Sequence, residues 1–142
     1  RSACEGGGLL IGVDLCKSRA LLEPAYDDAL GVTAAFNRNL LMHLNALIGS
    51  NFKLAEWQHV AFFNEADSRI EMHLVSKESQ TVKINGSSID LQKGETLHTE
   101  NSYKYSLESF TSLCNAAGFT LQKSWLDQDK LFSVHYLTVT RN

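Results

Sequence analysis

Apolar positions along the chain change period three times, and each change predicts a different kind of element. Residues 9–13 form a continuous apolar run, Leu9-Leu10-Ile11-Gly12-Val13, ending on Asp14. An unbroken run of that length predicts a strand buried on both faces of a parallel sheet, with no evident sheet of its own nearby. From residue 20 to 48 the spacing is helical, through Leu30, Ala34, Leu41, Leu44 and Ile48, and predicts one long helix or a broken pair. Pro24 suits a first turn, while Asp27 and Asp28 suit a second helical start, where negative charge meets the N-terminal dipole.

Beyond Phe52 the period falls to two. Strands are predicted over 59–64, 69–76, 81–84 and 88–91, separated by turns at 65–68 and at Asn85-Gly86, the sharpest hairpin signal in the sequence. Gly94-Glu95 then opens a strand that carries Glu100 and Ser102. A helix follows Ser106, with Leu107, Phe110, Leu113, Cys114 and Ala117 as its apolar stripe and Gly118 as its stop. Two last strands, 119–126 and 131–139, flank the polar turn 127–130.

Composition narrows the function classes. With 142 residues, 44% hydrophobic and 20% charged, the chain has enough material for one sizeable core and reads as a globular domain or part of one. A net charge of −3 without a Lys/Arg cluster removes the footprint that nucleic acid or an anionic membrane requires. No apolar run approaches bilayer length and the N-terminus lacks signal-peptide character, so a cytoplasmic location is expected. Cys4, Cys16 and Cys114 are widely spaced, lack a CxxC and are expected to be reduced thiols. His43, His59, His73, His98 and His135 show no HxxxH spacing, and no metal is expected. Neither a GxSxG nor a Cys/His signature supports nucleophilic catalysis.

The candidate chemistry lies in Leu97-His98-Thr99-Glu100-Asn101-Ser102-Tyr103-Lys104-Tyr105. On an extended chain Glu100 and Ser102 share a parity and point to one face, where a carboxylate beside a hydroxyl suits a small ligand with ring N–H or ammonium donors. The alternative is a solvated strand end ahead of a helix cap. Tyr26, at the helix junction, either donates its phenol to a ligand carboxylate or packs its ring and caps a carbonyl. Thr33 shares a face with Tyr26 if helical geometry continues through Gly31. Met72 aligns with Ile70 and Leu74, either as core or as the apolar floor beneath a planar ligand. Asp14 ends its strand where open α/β sheets place ligand-binding residues, or serves as a structural acceptor. No GxGxxG loop follows a strand.

These phrases, in order, resemble the histidine-specific S-adenosylmethionine-dependent methyltransferase family, which includes the histidine Nα-methyltransferase of the ergothioneine pathway. The residues that carry the resemblance are Leu9 to Lys17, Pro24 to Asp28, Gly31 to Asn39, Arg69 to Leu74 and Gly94 to Tyr105. The resemblance implies an α/β, Rossmann-like methyltransferase fold, of which this chain is the carboxyl-terminal part, with an inserted α+β substrate-binding domain. It divides the chain into a strand and linker of the methyltransferase sheet (1–18), the substrate-binding insertion (19–102) and a closing helix and hairpin (103–142).

It further implies that Tyr26 holds the amino-acid end of the substrate, that Glu100 and Ser102 recognise the imidazole, and that Thr33 and Met72 line the pocket. S-adenosylmethionine would be bound mainly by a preceding part, leaving no cofactor-binding residues here, no assigned catalytic base, and no activity for the chain alone. The expected reaction is methylation of the α-amine of histidine or an analogue such as a thiohistidine. A non-catalytic binding module that retains the pocket is the alternative. The unpaired edge of the first strand suggests self-association.

Overall fold

The computed structural model describes residues 7–139. It is mixed α/β and divides into two compact units: residues 18–102, and a second unit formed by residues 1–17 together with 103–142. Among the described residues the strands form three sheets.

In the unit of residues 18–102, helix α1 (Arg19–Tyr26) and helix α2 (Val32–Ile48) are the broken pair. The break is at Gly31, whose φ of 72° is accessible to glycine at little cost, so helical geometry does not run from Tyr26 to Thr33. Helix α1 begins earlier than expected, and Pro24 lies inside it rather than in a first turn. Asp28 caps α2: its carboxylate accepts from the backbone N–H groups of Val32 (3.0 Å) and Thr33 (2.8 Å). After a 3₁₀ turn at Leu54–Glu56 come β2 (Trp57–Asn64), β3 (Arg69–Ser76), the hairpin β4 (Gln80–Ile84) and β5 (Ser87–Leu91), and β6 (Thr96–Tyr103).

Strands β2 and β3 pair antiparallel, and β6 lies on the other side of β3. The β4–β5 turn is Asn85-Gly86, with φ of 47° and 81°, the doubly left-handed form that matches strand twist. One apolar cluster joins Leu41, Phe52, Trp57, Leu74 and Val82. A second joins Leu22, Ile70 and Met72, with Tyr26, Ala61 and Phe63 packed against it. On β3, Ile70, Met72 and Leu74 alternate into these clusters, as a period of two requires.

In the other unit, β1 (Gly8–Asp14), α3 (Leu107–Ala116), β7 (Phe119–Leu126) and β8 (Phe132–Val139) build a sheet of order β1-β8-β7. The apolar run of β1 predicts a place in a parallel sheet, and the structure differs. The strand pairs antiparallel with β8 throughout, and just beyond its end Leu15 makes an isolated parallel bridge to Tyr105. Nor are both faces buried, since Leu10 is 65% exposed. An apolar run specifies burial but not the direction of a partner, which here comes from more than a hundred residues downstream. Val13, Phe110, Cys114 and Leu137 form the core of this unit. Helix α3 is capped by Ser106, whose side chain exchanges hydrogen bonds with Ser109, and Gly118 (φ 83°) ends it. Cys16 is exposed and Cys114 is buried, while Cys4 lies outside the described residues. No helix among the described residues is long and apolar enough to cross a membrane.

Candidate functional site

The phenol of Tyr26 and the hydroxyl of Ser102, 76 positions apart in the sequence, meet at 2.8 Å. Tyr26 is the last residue of α1, and α1 is fastened to the free edge of β2. Arg19 donates to the carbonyl of Phe63 (2.9 Å), and Glu23 accepts from the Phe63 N–H (2.9 Å). Those two bonds satisfy edge groups that β3 cannot reach. The ring of Tyr26 packs against the cluster containing Met72, so its oxygen emerges beside an apolar surface. The backbone of Met72 is tied in turn to β6, because Thr99 Oγ1 donates to its carbonyl at 2.9 Å.

The structure thus brings together Tyr26, Met72 and Ser102. Thr33 sits in the first turn of α2, where its N–H meets Asp28. Glu100 is exposed, whereas Ser102 is half-buried. Regular alternation fails between them: Glu100 and Asn101 are both exposed, and His98 Nε2 and Asn101 Oδ1 meet at 2.8 Å across three residues. Exposure along β6 therefore does not alternate strictly at this pair. At 2.8 Å, Tyr26 and Ser102 address one atom of a ligand, and a molecule engaging one of them at each end must part them.

Two groupings were not legible in the sequence. Behind Tyr26, His59 Nε2 lies 2.8 Å from the Tyr26 carbonyl, and His59 Nδ1 lies 2.9 Å from Asn37 Nδ2. The available signal was Asn37 on the same helical face as Leu41 and Leu44, a polar residue in an apolar stripe. On the opposite face of β3, Glu71 accepts from Asn64 (2.9 Å) and Arg69 (2.7 Å) and lies 3.1 Å from His73. His73 is stacked between Phe62 and His98, with centroids at 5.3 and 4.4 Å. The i,i+2 spacing of Glu71 and His73 was its signal.

Glu71, His73 and His98 each offer an atom within 4.8 Å of the others. Imidazole lone pairs lie in the ring plane, however, and the His73 and His98 planes are only 20° apart, so stacked rings aim their nitrogens side by side instead of converging. Glu71 is also committed to its Arg69 partner. The arrangement is a paired carboxylate beneath a ring stack rather than a ligand set.

Hydrogen bonds from Asn64, Arg69 and His73 hold the Glu71 carboxyl at about 2, below its ordinary 4.5. Those from Thr33 and Val32 hold Asp28 at about 2, below 3.8. Both depressions favour the folded state once the unfolded carboxyls are ionised, and the gain is lost as protons bind the native pair. Stability is therefore expected to fall as pH drops from about 4.5 toward about 2. Urea midpoints measured across that window check this, with Glu71→Gln flattening the slope.

In the other unit Asp14 accepts from Lys17 at 2.5 Å and from the buried Lys104 at 2.9 Å. Burial raises its pKa, but the two ammonium groups outweigh that effect and lower it overall. Asp14 is thus a structural acceptor at the end of β1. Gly8 and Gly12 lie beneath the rings of Tyr136 and Phe132, where an added Cβ would come within 2.6 and 2.7 Å. Gly31, Gly49, Gly86, Gly94 and Gly118 occupy open turns. Among the described residues these glycines and this carboxylate do not form a cradle for S-adenosylmethionine.

Helix α1, held on the edge strand β2, thus presents the Tyr26 phenol to the Ser102 hydroxyl beside the apolar cluster of Leu22, Ile70 and Met72. The family model for SAM-dependent, histidine-specific methyltransferases matches residues 1–139, and the chain belongs to that family. It is 40% identical over 124 residues to a histidine N-alpha-methyltransferase of Mycolicibacterium smegmatis, covering 86% of this chain and 39% of that protein. A histidine N-alpha-methyltransferase of Mycobacterium tuberculosis is 39% identical over 125 residues, with 87% and 39% covered. Ergothioneine biosynthesis protein 1 of Neurospora crassa is 27% identical over 136 residues, with 94% and 15% covered. The chain spans about two fifths of the length of the two bacterial relatives.

Proposed function

We propose that this chain is the carboxyl-terminal, substrate-recognising part of an S-adenosylmethionine-dependent N-methyltransferase that acts on the α-amine of histidine or a close analogue. The observation that carries the reading is the meeting of Tyr26 and Ser102 at 2.8 Å. Two residues assigned to one ligand by family resemblance converge although distant in sequence, and the bacterial relatives are named for histidine methylation. In this reading residues 19–102 are the substrate domain, and the β1-β8-β7 sheet with α3 belongs to a Rossmann-like methyltransferase fold.

Tyr26 holds the amino-acid end of the substrate, while Glu100 and Ser102 take the imidazole edge, the carboxylate accepting a ring N–H. Met72 supplies the apolar surface against the ring, and Thr33 lines the pocket near the start of α2. The incoming ligand exchanges its own bonds for the Tyr26–Ser102 bond and parts the two groups. A molecule lacking either end leaves a polar group unpaired, which is the source of discrimination. The task of these residues in methyl transfer is to fix the α-amine so that its neutral lone pair can align with the donor's methyl carbon. S-adenosylmethionine supplies that methyl group as a sulfonium.

Calorimetric titration tests the reading in a full-length protein that carries this chain. Both L-histidine and S-adenosylhomocysteine are expected to bind, with Tyr26→Phe and Ser102→Ala weakening histidine alone. Cofactor-product binding without histidine binding would refute histidine as substrate.

A further inference from the structure

Asn37 is 3% exposed and His59 7% exposed, yet all three nitrogens that matter in this pair have partners. Asn37 Nδ2 lies 2.9 Å from His59 Nδ1 and 3.2 Å from the carbonyl oxygen of His73. A carbonyl can only accept, so the atom facing it is the amide nitrogen, and its second hydrogen is directed at His59 Nδ1. That ring nitrogen must then accept. The single ring proton is consequently on Nε2, from which it is donated to the Tyr26 carbonyl at 2.8 Å. The direction of donation is fixed from end to end: Asn37 to His59 to Tyr26.

The recipient carbonyl belongs to the last residue of α1, whose C-terminal carbonyls have no partner within the helix. A buried donor at this point sets where α1 ends, and therefore where the Tyr26 ring leaves the backbone. Arg19 and Glu23 hold the earlier turn of α1 on β2, but neither reaches Tyr26. We propose that Asn37 and His59 are positioning residues for substrate recognition, with Asn37 holding the His59 ring at Nδ1 so that Nε2–H anchors Tyr26 for its encounter with the ligand. This inference rests on the reading of Tyr26 and Ser102 as substrate-binding groups, and it adds two residues that touch no ligand themselves.

The test uses a full-length protein carrying this chain. With ¹⁵N-labelled histidine, the unsubstituted protein is expected to show His59 as a neutral ring protonated on Nε2; a ring protonated on Nδ1 would overturn the proposal. Asn37→Leu leaves Nε2 facing the Tyr26 carbonyl and removes the donor to Nδ1, so it is expected to keep the ring protonated on Nε2 while weakening L-histidine binding less than His59→Phe does. His59→Phe, which removes the donor, is expected to weaken L-histidine binding about tenfold or more, because small displacements of a recognition group are costly, while S-adenosylhomocysteine binding is unchanged. His59→Gln, whose amide can donate to the same carbonyl, is expected to recover part of the loss.

Equal losses for both ligands in His59→Phe and His59→Gln would indicate a general structural role and overturn the proposal. Tyr26→Phe and Ser102→Ala separate the two levels of the argument. If they weaken histidine binding and His59→Phe does not, positioning fails alone. If they leave histidine binding unchanged, the substrate site itself is wrong and the positioning role falls with it.

Discussion

Replacing Glu100 with alanine is expected to weaken L-histidine binding by a full-length protein carrying this chain by about 10- to 150-fold, the equivalent of about 1.5–3 kcal/mol for a hydrogen bond to a charged group. The carboxylate is exposed on β6 and belongs to neither apolar cluster of its unit, so its removal leaves the packing around Met72 and Trp57 in place. Ligand binding would draw it from water into contact with an imidazole N–H, and the cost of that transfer is recovered only when the donor is present. Glu100→Gln keeps an acceptor without the charge and is expected to fall between the native protein and the alanine variant. S-adenosylhomocysteine affinity and the thermal midpoint are expected to stay unchanged in both. Calorimetry with the two ligands checks the prediction. Native histidine affinity in Glu100→Ala would remove this residue from the site and leave recognition to Tyr26 and Ser102.

The elements that could be read from the sequence are those whose determinants are local. Asn85-Gly86 occupies left-handed conformations that glycine and asparagine tolerate best, and it makes the expected hairpin. Ser106 and Gly118 bound α3 because each satisfies helix-terminal groups within a few residues. The alternation of Ile70, Met72 and Leu74 placed β3 and its buried face correctly. What failed to show was non-local. Nothing in residues 9–13 names β8 as an antiparallel partner, and a covered Val13 beside an exposed Leu10 depends on what that sheet packs against. Exposure along β6 was not legible either: Glu100 and Asn101 are both exposed, so burial does not alternate strictly between Glu100 and Ser102.

The site shows the same division. Tyr26 and Ser102 were candidates from residue type and family resemblance, while their direct hydrogen bond depends on α1 being tied to β2 by Arg19 and Glu23. Asn37 and His59 come from a helix and a strand 22 positions apart, and no motif links them. Buried polar groups of this kind are found by asking where each donor goes, a question that requires coordinates. Glu71, His73 and His98 likewise come from two strands, and the orientation of their rings, rather than their residue types, distinguishes a stack from a ligand set.

Trp57→Ala is expected to cost about 3–5 kcal/mol, the range for removing a large aromatic side chain from a packed core. Trp57 is fully buried at the start of β2, edge-on to Phe52 with centroids 5.8 Å apart, and shares its cluster with Leu41, Leu74 and Val82. Those neighbours come from α2, β3 and β4, so the cavity cannot be closed by moving one side chain. Its indole N–H meets no acceptor among the described residues, which is itself a cost in the native state. Trp57→Phe removes that orphaned donor along with some volume and is expected to lose only about 1–2 kcal/mol as the two terms oppose each other. Urea denaturation followed by circular dichroism measures both variants. Tryptophan emission separates the sites, because Trp125 is 44% exposed and reports a wetter environment than Trp57. Since β2 also carries His59, and Phe63 receives α1, loosening this core is expected to weaken histidine binding through Tyr26, with the larger loss in Trp57→Ala. A loss below about 1 kcal/mol in that variant would contradict the burial and shared packing of this cluster.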